Sequence, residues 1–388
     1  MLADACGRRF AEGLVRVTGR VLIVGGGIAG LSLACALRQR GVSFVVVERQ
    51  DATRGAGLGL NLPGNAIQAL RRLNPGGDIT RRGMPIRRRE YRNAKGRLLF
   101  AVDEGAFWGN AVTSRCVRRG DLLDLLGAGA APAPIRWNST VVNVEPGPGH
   151  VEVRFDDDHT ETYDLVVGAD GVHSAVRQAV LGHGDSRPAP LTTASWRFVI
   201  PSTAVRCWSV WLGSDATFLI IPVDAEHVYG FASATRGGPV GSDPRWLAST
   251  FARYAGPVPH LVAAALAEPS SLHHSPMEEV RAERWSYPRT VLIGDAAHAT
   301  APIWAQGAAL AIEDALVLAE LLAADGDWAD VGAEYERRRR PRVSHVQTMT
   351  DRATHLAALP AWLRDVLVPA IGPHSYRQAY GPLRQPVV

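Results

Sequence analysis

The sequence predicts an α/β protein made of a parallel βαβ unit, an antiparallel sheet and C-terminal helices. Residues 20–48 contain a strand, a glycine-rich turn, a helix and a second strand, which is the order of a βαβ unit. Residues 194–234 contain four β-rich runs divided by short turns, which is typical of an antiparallel sheet. Helical patterns follow at 308–322 and 329–359, and we expect a proline-containing tail from residue 360 onward.

The turn of the βαβ unit has the form G-x-G-x-x-G, with Gly25, Gly27 and Gly30. The first glycine permits a tight turn, the second lets a pyrophosphate approach the backbone, and the third lets helix and strand pack closely. The helix that follows begins with free N–H groups, which favour anions. Glu48 ends the second strand, 18 residues after Gly30, where a carboxylate can bind ribose hydroxyls. The pattern predicts a dinucleotide site; the alternative is a βαβ unit that binds no ligand.

A glycine-rich segment follows this unit, from Arg49 to Leu60. Glycines at this density imply backbone in close contact with another group, and Arg54 beside them is placed to face a phosphate. The alternative is a mobile surface loop.

Composition and charge give no sign of a nucleic-acid, metal or membrane protein. The net charge is +4, but Lys95 is the only lysine, and the run Arg337–Arg340 lies in a helical pattern where a solvated or salt-bridged face is expected. Four cysteines lie far apart, which argues against a zinc site or a disulfide framework and favours a reducing cytoplasm. Apolar runs are shorter than a membrane span requires. We interpret residues 1–19 as a flexible N-terminal extension.

Two further motifs follow buried strands. Asp170 comes at the carboxyl end of an apolar strand and begins the sequence Asp-Gly, where α/β folds place ligands. The second motif is Gly-Asp-Ala-Ala-His at residues 294–298, followed by Pro302 and by Gln-Gly at 306–307, directly before a helix.

These three motifs, in this order, resemble those of the class A flavoprotein monooxygenases, the p-hydroxybenzoate hydroxylase-like enzymes. The resemblance extends from Arg20 to about Arg352. It implies a Rossmann-like FAD-binding domain interleaved with an antiparallel-sheet substrate domain and followed by C-terminal helices. The implied FAD-binding domain is discontinuous and comprises residues 20–83, 110–180 and 285–325. The substrate domain would comprise residues 84–109 and 181–284, and the C-terminal helices and tail residues 326–388.

The resemblance also assigns cofactor contacts by position. Pyrophosphate, ribose, adenine, ribityl chain and flavin ring would contact Gly25, Gly27, Ile28, Ala29, Gly30, Glu48, Arg49, Arg54, Gly57, Leu58, Arg119, Val141, Asp170, Asp295, Gly307 and Ala308. A helix starting at Gly307 would offer N–H groups to the pyrimidine end of the flavin, which is anionic when reduced.

The resemblance also assigns three residues to the substrate and flavin pocket. Arg197 matches a frequent arginine of the family, which would hold a carboxylate or phenolate; the alternative is a salt-bridged arginine of the sheet. Pro302 and Trp304 would line the pocket, and no acid or base is assigned. The usual Pro-x-x-Gly-Gln-Gly has Ala305 in place of its first glycine. His298 is more consistent with a structural role or a place beside FAD than with a catalytic base. Aromatic residues of the antiparallel sheet, which include Trp196, Trp208, Trp211, Phe218, Tyr229 and Phe231, either line a pocket for a flat ligand or pack in the core.

The implied activity is a single-component monooxygenase that uses FAD, NADPH or NADH, and O₂. It would hydroxylate or epoxidise an aromatic or electron-rich small molecule through a flavin C4a-hydroperoxide, in natural-product biosynthesis or aromatic catabolism. Decarboxylation and Baeyer–Villiger insertion stay open, and we expect a monomer or homodimer. One alternative is a flavin-dependent halogenase, for which Lys95 is the only lysine available. The other is a turnover-deficient FAD-binding protein, which Ala305 would explain.

Overall fold

The computed structural model describes residues 20–51, 58–133, 135–181, 188–202, 205–234, 240–324 and 327–387. The predicted N-terminal extension, Arg54 and Gly57 lie outside the described residues.

The described residues contain nineteen strands and eleven α-helices. The strands are β1 Arg20–Val24, β2 Ser43–Glu48, β3 Gly59–Leu62, β4 Met84–Pro85, β5 Arg88–Asn93, β6 Leu98–Asp103, β7 Arg115–Arg118, β8 Ile135–Trp137, β9 Val141–Gly147, β10 His150–Phe155, β11 Thr160–Tyr163, β12 Leu165–Gly168, β13 Ala189–Pro201, β14 Trp208–Leu212, β15 Ala216–Pro222, β16 His227–Ala234, β17 His273–Glu279, β18 Ser286–Tyr287 and β19 Thr290–Leu292. The helices are α1 Ile28–Gln39, α2 Gly64–Leu73, α3 Glu104–Trp108, α4 Arg119–Ala130, α5 Ala175–Leu181, α6 Arg245–Phe251, α7 Val258–Ala267, α8 Asp295–His298, α9 Gly307–Leu322, α10 Val331–Ala357 and α11 Ala361–Tyr380.

A six-stranded sheet in the order β18-β19-β12-β1-β2-β8 is the centre of the first layer. Its strands are parallel except for the short edge strand β18. The runs in β1 and β12 are apolar and buried because α1 and the three-stranded sheet β11-β10-β9 both pack against this sheet. Helix α1 packs against α4 and α9, so the glycine turn before α1 lies near the start of α9. The mixed α/β fold that the sequence predicts is confirmed.

The second large sheet has the order β17-β13-β16-β15-β14-β5-β6 and is antiparallel except between β5 and β14. One face packs its aromatic side chains, including Trp196, Trp211 and Phe218, against α6 and α7. The other face approaches the small sheet β3-β7-β4: Cys116 packs with Trp208 and other apolar residues of this sheet. The two faces follow the period of two along each strand.

Part of the expected C-terminal tail is helical. Helix α11 runs from Ala361 to Tyr380 and contains Pro369 and Pro373, which the sequence alone suggests as helix breakers. Tertiary packing outweighs this low propensity: a Cβ at Gly372 would lie 2.4 Å from the ring of Phe100 on β6, and Tyr380 is fully buried. Across the described residues, the helices are too short or too polar to cross a membrane.

Candidate functional site

The glycine turn has a geometry that only glycine allows. Gly25 has φ +110°, and a Cβ there would lie 2.4 Å from the carbonyl oxygen of Ala169 on the neighbouring chain segment. A Cβ at Gly30 would lie 1.9 Å from the carbonyl oxygen of Gly25. A Cβ at Gly27, by contrast, meets no atom within 4 Å, and the N-terminus of α1 has no side-chain cap. The first N–H groups of α1, from Ile28 onward, are therefore available to an anion.

Glu48 lies against this turn. Its carboxylate accepts hydrogen bonds from the N–H of Gly26 at 2.6 Å and of Gln50 at 2.9 Å. Ser139, in the connection between β8 and β9, donates its N–H to the backbone carbonyl of Glu48 at 3.0 Å. Val141, two residues on, is buried. The structure thus brings Glu48 and the start of β9 to the same end of the glycine turn, while Arg49 is exposed beside them.

Asp170 uses its carboxylate to begin a helix. Oδ1 accepts a hydrogen bond from the hydroxyl of Ser174 at 2.5 Å, and Oδ2 accepts from the N–H groups of Ala175 and Val176 at 2.7 and 3.2 Å. Burial raises the pKa of Asp170, and these hydrogen bonds oppose the rise. The Asp170 backbone also passes beneath Gly25. A direct contact between the Asp170 side chain and a nucleotide stays a prediction.

Asp295 and the start of α9 complete the same cleft. A Cβ at Gly307 would lie 3.7 Å from Oδ1 of Asp295, and one at Gly294 would lie 2.9 Å from the Cβ of Ala29 in α1. The Asp295 side chain is reached by solvent but has protein around it, so desolvation raises its pKa, while His298 and Arg119 lower it. The N–H of Arg119 donates to the carbonyl of Leu58 at 2.9 Å, which places the predicted residues Leu58 and Arg119 together.

A buried polar cluster supports this cleft from behind. Asp314 accepts from the N–H of Gly294 at 2.9 Å, lies 2.7 Å from Nε2 of His298, and pairs with Arg339 at 2.7 Å. Its neighbour Glu313 pairs with Arg339 at 3.0 Å and with Arg342 at 2.7 Å. His298 is therefore a buried partner of Asp314, as a structural role requires. His298 and Arg339 hold the pKa of Asp314 well below its usual range despite burial.

The same cluster reaches the start of α9 through Asn65. Its amide donates to Oε1 of Glu313 and to Oε1 of Gln306, each at 3.0 Å, and accepts from Gln306 at 3.2 Å. The sequence analysis did not identify this cluster. One signal was present: Glu313 and Asp314 are adjacent acids inside an otherwise apolar helix, which indicates a buried cationic partner.

The turn before α9 contains the predicted pocket residues Pro302 and Trp304. Pro302 and Ile303 are exposed, Trp304 is half-buried, and the three residues form a 3₁₀ helix. Ala305 follows with φ +52° and ψ +37°, in the left-handed region that favours glycine. The substitution of alanine for the usual glycine therefore introduces backbone strain at this position.

Arg197 lies on the open face of the seven-stranded sheet. Val199, Leu219, Tyr229 and Phe231 share this face and are half-buried, whereas Trp196 and Trp211 pack in the core on the opposite face. A Cβ at Gly59 would lie 2.4 Å from Tyr229, so this face is turned toward the domain that carries the glycine turn. Burial raises the pKa of Tyr229 to about 12, and Arg197 opposes the rise. The tryptophans Trp196 and Trp211 are thus core residues, whereas Tyr229 and Phe231 lie on the opposite face of the sheet.

The halogenase alternative loses its structural basis. Lys95 is exposed in the turn between β5 and β6, so it is not the interior lysine that a halogenase requires. Within the described ranges, no group of three or more histidine, cysteine, aspartate or glutamate side chains is arranged to hold a metal ion.

The site fits FAD on its own geometry. The glycine turn leaves the start of α1 free of side chains for a pyrophosphate, Glu48 is held at one end, and the solvent-accessible Asp295 meets the start of α9 at the other. Helix starts stabilise the negative charge of phosphates and of reduced flavin. Together with the parallel sheet, this arrangement defines an FAD-binding flavoprotein.

Comparison with known proteins identifies the family. Residues 18–350 match the model described as "FAD binding domain", and the chain belongs to that family, that of the class A FAD-dependent monooxygenases. The 2-heptyl-3-hydroxy-4(1H)-quinolone synthase of Pseudomonas aeruginosa is 31% identical over 372 residues, which is 93% of this chain and 96% of that one. The aurachin C monooxygenase/isomerase of Stigmatella aurantiaca is 31% identical over 363 residues, 90% of this chain and 93% of the relative.

A solved structure supports the fold. HpxO of Klebsiella pneumoniae, complexed with FAD and uric acid, superimposes with a TM-score of 0.83 at 24% identity and covers 95% of this chain and 98% of its own. The chain is an FAD-dependent monooxygenase, and the predictions of the family, of the cofactor FAD and of an enzyme are confirmed.

Proposed function

We propose that this monooxygenase hydroxylates a ring carbon of a planar, bicyclic nitrogen heteroaromatic of the 4-quinolone type. The observation that carries the proposal is the open sheet face, where the apolar side chains of Val199, Leu219 and Phe231 lie beside the guanidinium of Arg197. A flat apolar ring with one carbonyl oxygen matches this surface in shape and polarity. The Pseudomonas aeruginosa relative is named 2-heptyl-3-hydroxy-4(1H)-quinolone synthase, and this name describes a hydroxylated 4(1H)-quinolone, which supports the same substrate class.

The residues of the cleft would hold the cofactor as the motifs predict. The N–H groups of Ile28, Ala29 and Gly30 would bind the pyrophosphate, and Glu48 would bind the adenosine ribose. Asp295 would accept hydrogen bonds from the ribityl hydroxyls, since its carboxylate is solvent-accessible at the start of α8. The chemistry that FAD would supply when bound is hydride uptake from NADH or NADPH and activation of O₂, so that one oxygen atom would go to the substrate and the other would leave as water.

The start of α9 would stabilise charge on the flavin. Gly307 and Ala308 are the first residues of a 16-residue helix without a side-chain cap, so their N–H groups are free to donate. The cluster of Asp314, Asn65 and Glu313 fixes this helix start from the interior. Such a preorganised donor needs no rearrangement when negative charge develops.

Arg197 would orient the substrate. Its Nε donates to the hydroxyl of Ser195 at 3.2 Å, which directs the guanidinium along the open face of the sheet. A guanidinium has donors and no acceptor, so it selects a ring carbonyl or an oxyanion over a ring N–H. The apolar neighbours would exclude water from the reacting ring. No side chain of this face is assigned as an acid or a base.

We also propose a cytoplasmic enzyme that works as a monomer or homodimer on small molecules, without nucleic acid or membrane partners. Cys35 and Cys116 are buried free thiols and Cys207 is a free, half-buried thiol, which supports a reducing compartment. The domain boundaries given above are part of the same proposal.

The test uses the FAD-loaded protein with NADH or NADPH and a panel of 2-alkyl-4(1H)-quinolones, 4-hydroxybenzoate and urate. We expect a quinolone to accelerate NAD(P)H oxidation and to gain one oxygen atom by mass spectrometry. The R197M variant should raise the quinolone KM roughly tenfold, the loss expected for a charge-assisted hydrogen bond. The control R245M removes an exposed arginine of the same domain that pairs with Asp243, and it should leave KM unchanged. A response to 4-hydroxybenzoate or urate without a response to any quinolone would contradict the proposed substrate class.

A further inference from the structure

The C-terminal helix α11 reaches the strained turn before α9 through one hydrogen bond. The hydroxyl of Tyr380, in the last turn of α11, donates to the carbonyl oxygen of Trp304 at 2.7 Å. The rings of Trp304 and Tyr380 also pack edge to face with centroids 5.6 Å apart. The next residue, Ala305, has φ +52°, and its N–H donates to the carbonyl of Pro302 at 3.0 Å.

A buried arginine fixes the direction of the Tyr380 hydroxyl. Nη1 of Arg89 lies 3.2 Å from the Tyr380 oxygen, and because arginine can only donate, the tyrosine oxygen accepts there. The single hydroxyl proton is then left for the Trp304 carbonyl. Burial raises the pKa of Tyr380, so the phenol keeps this proton. Glu104 neutralises Arg89 through a contact of 2.5 Å between buried side chains.

A flipped orientation of the Trp304–Ala305 peptide would relieve the strain at Ala305. A flip of this peptide would take Ala305 out of the left-handed region, where an L-residue with a Cβ is disfavoured. The flip would also turn the Trp304 carbonyl away from Tyr380 and the Ala305 N–H away from Pro302. With glycine at position 305 the flip would relieve no strain, because glycine adopts positive φ without a steric penalty. With alanine the flip relieves strain, and the hydrogen bond from Tyr380 to the Trp304 carbonyl opposes the flip.

We propose that Tyr380 is a positioning residue that compensates for Ala305: it holds the Trp304–Ala305 peptide in the orientation that aims the start of α9 at the flavin. The inference rests on the proposed position of the flavin at Gly307 and Ala308. It gives α11, which lies outside the segment matched by the family model, a role in cofactor binding.

A double-mutant cycle between Tyr380 and Ala305 tests the proposal, with FAD as the probe. In the Ala305 background, Y380F should raise the FAD Kd about fivefold to tenfold, the loss expected for one hydrogen bond, and change the visible circular dichroism of bound FAD. In the A305G background, the same Y380F substitution should change the FAD Kd by less than about twofold, because the peptide no longer gains by flipping.

Thermal melting of the FAD-free protein gives a second readout that does not need the cofactor. A305G should raise the melting temperature by about 1–3 °C while Tyr380 is present, because strain is removed. In the Y380F background A305G should give no rise, because the flip has already relieved the strain. If Y380F does not yield folded protein, the single A305G variant decides: a lower melting temperature would show that Ala305 is unstrained and would overturn the proposal.

The matched control is Y254F. Tyr254 donates to the carbonyl of Ala216 at 2.7 Å, the same type and length of bond, on the face of the seven-stranded sheet that packs against α6 and α7. Y254F should lower the melting temperature and leave the FAD Kd unchanged. Equal effects of Y380F in both backgrounds, or an effect on the Kd no larger than that of Y254F, would overturn the positioning role. A wild-type protein that binds no FAD would instead refute the proposed function, while the melting cycle would still decide the role of Tyr380.

Discussion

Replacing Arg339 by methionine removes the central cation of the buried cluster behind the cofactor cleft. Arg339 is 1% exposed and contacts two carboxylates, Asp314 at 2.7 Å and Glu313 at 3.0 Å. Removing one partner of a buried ion pair costs about 3–5 kcal/mol, because the remaining charge stays desolvated. Glu313 keeps Arg342, and Asp314 keeps His298 and the N–H of Gly294. We therefore expect the lower end, about 3 kcal/mol, which for a chain of 388 residues lowers the melting temperature by roughly 3–5 °C.

The matched control lies half a turn away on the same helix. Arg337 pairs with Glu334 at 2.6 Å, but the two side chains are 72% and 39% exposed. Such a surface pair contributes at most about 0.5 kcal/mol, so R337M should shift the melting temperature by less than about 2 °C. Calorimetry of both variants, with and without FAD, measures the difference.

The pH dependence of R339M checks that charge is the cause. In the wild type the pKa of Asp314 is held well below its usual range, so its stabilisation is present above about pH 4 and is lost only as the pH falls further. In R339M Asp314 loses one of its two cationic partners, so less opposes the burial that raises its pKa. As the pH falls, folded R339M binds more protons than unfolded R339M, which stabilises the folded variant. The difference in free energy of unfolding between wild type and R339M should therefore decrease from pH 8 to pH 5. The reasoning would be refuted if R339M lost the same free energy of unfolding at pH 8 and pH 5, or lost no more than R337M does.

Two further substitutions test the cleft itself. G30A should reduce FAD affinity at least about 100-fold, because its Cβ would lie 1.9 Å from the Gly25 carbonyl oxygen and would displace the turn. The control is G105A, where the added Cβ makes only ordinary van der Waals contacts, and it should bind FAD normally. Fluorescence titration measures the FAD affinity of both variants. D295N should weaken FAD binding yet raise the melting temperature of the FAD-free protein at neutral pH. The pKa of Asp295 is raised by desolvation, so its ionised form destabilises the fold as the pH rises through that value, and equal melting curves of wild type and D295N from pH 4 to pH 8 would contradict this.

The antiparallel sheet shows what the alternating sequence pattern can and cannot predict. Alternation along β13 predicts two faces, but the pattern does not say which face meets the flavin domain. The structure places Trp196 in the core with α6 and α7 and leaves Arg197 on the open face. The sequence raised both options for the aromatic residues, and the structure places Trp196 and Trp211 in the core and turns the face of Tyr229 toward β3.

The four consecutive arginines of α10 show a second limit. All four form ion pairs, as the salt-bridged alternative predicted, but only Arg339 is buried. A run of identical residues contains no information about helix rotation, so the contact of α10 with α9 selects which side chain points inward. Tertiary packing also decides the conformation of α11. Its two internal prolines lower the local helix propensity, but packing against β6 outweighs this effect.

The sequence by itself determined the glycine turn, Glu48, the α/β class and the family, because these depend on interactions between residues close in the chain. The strained Ala305 was also visible as a departure from a local motif. Only the tertiary structure decided the partners of Asp314, the pairing of Asn65 with Gln306 and the contact of Tyr380 with Trp304. Each of the last two joins segments at least 76 residues apart, and such contacts depend on how whole sheets and helices pack rather than on any local pattern.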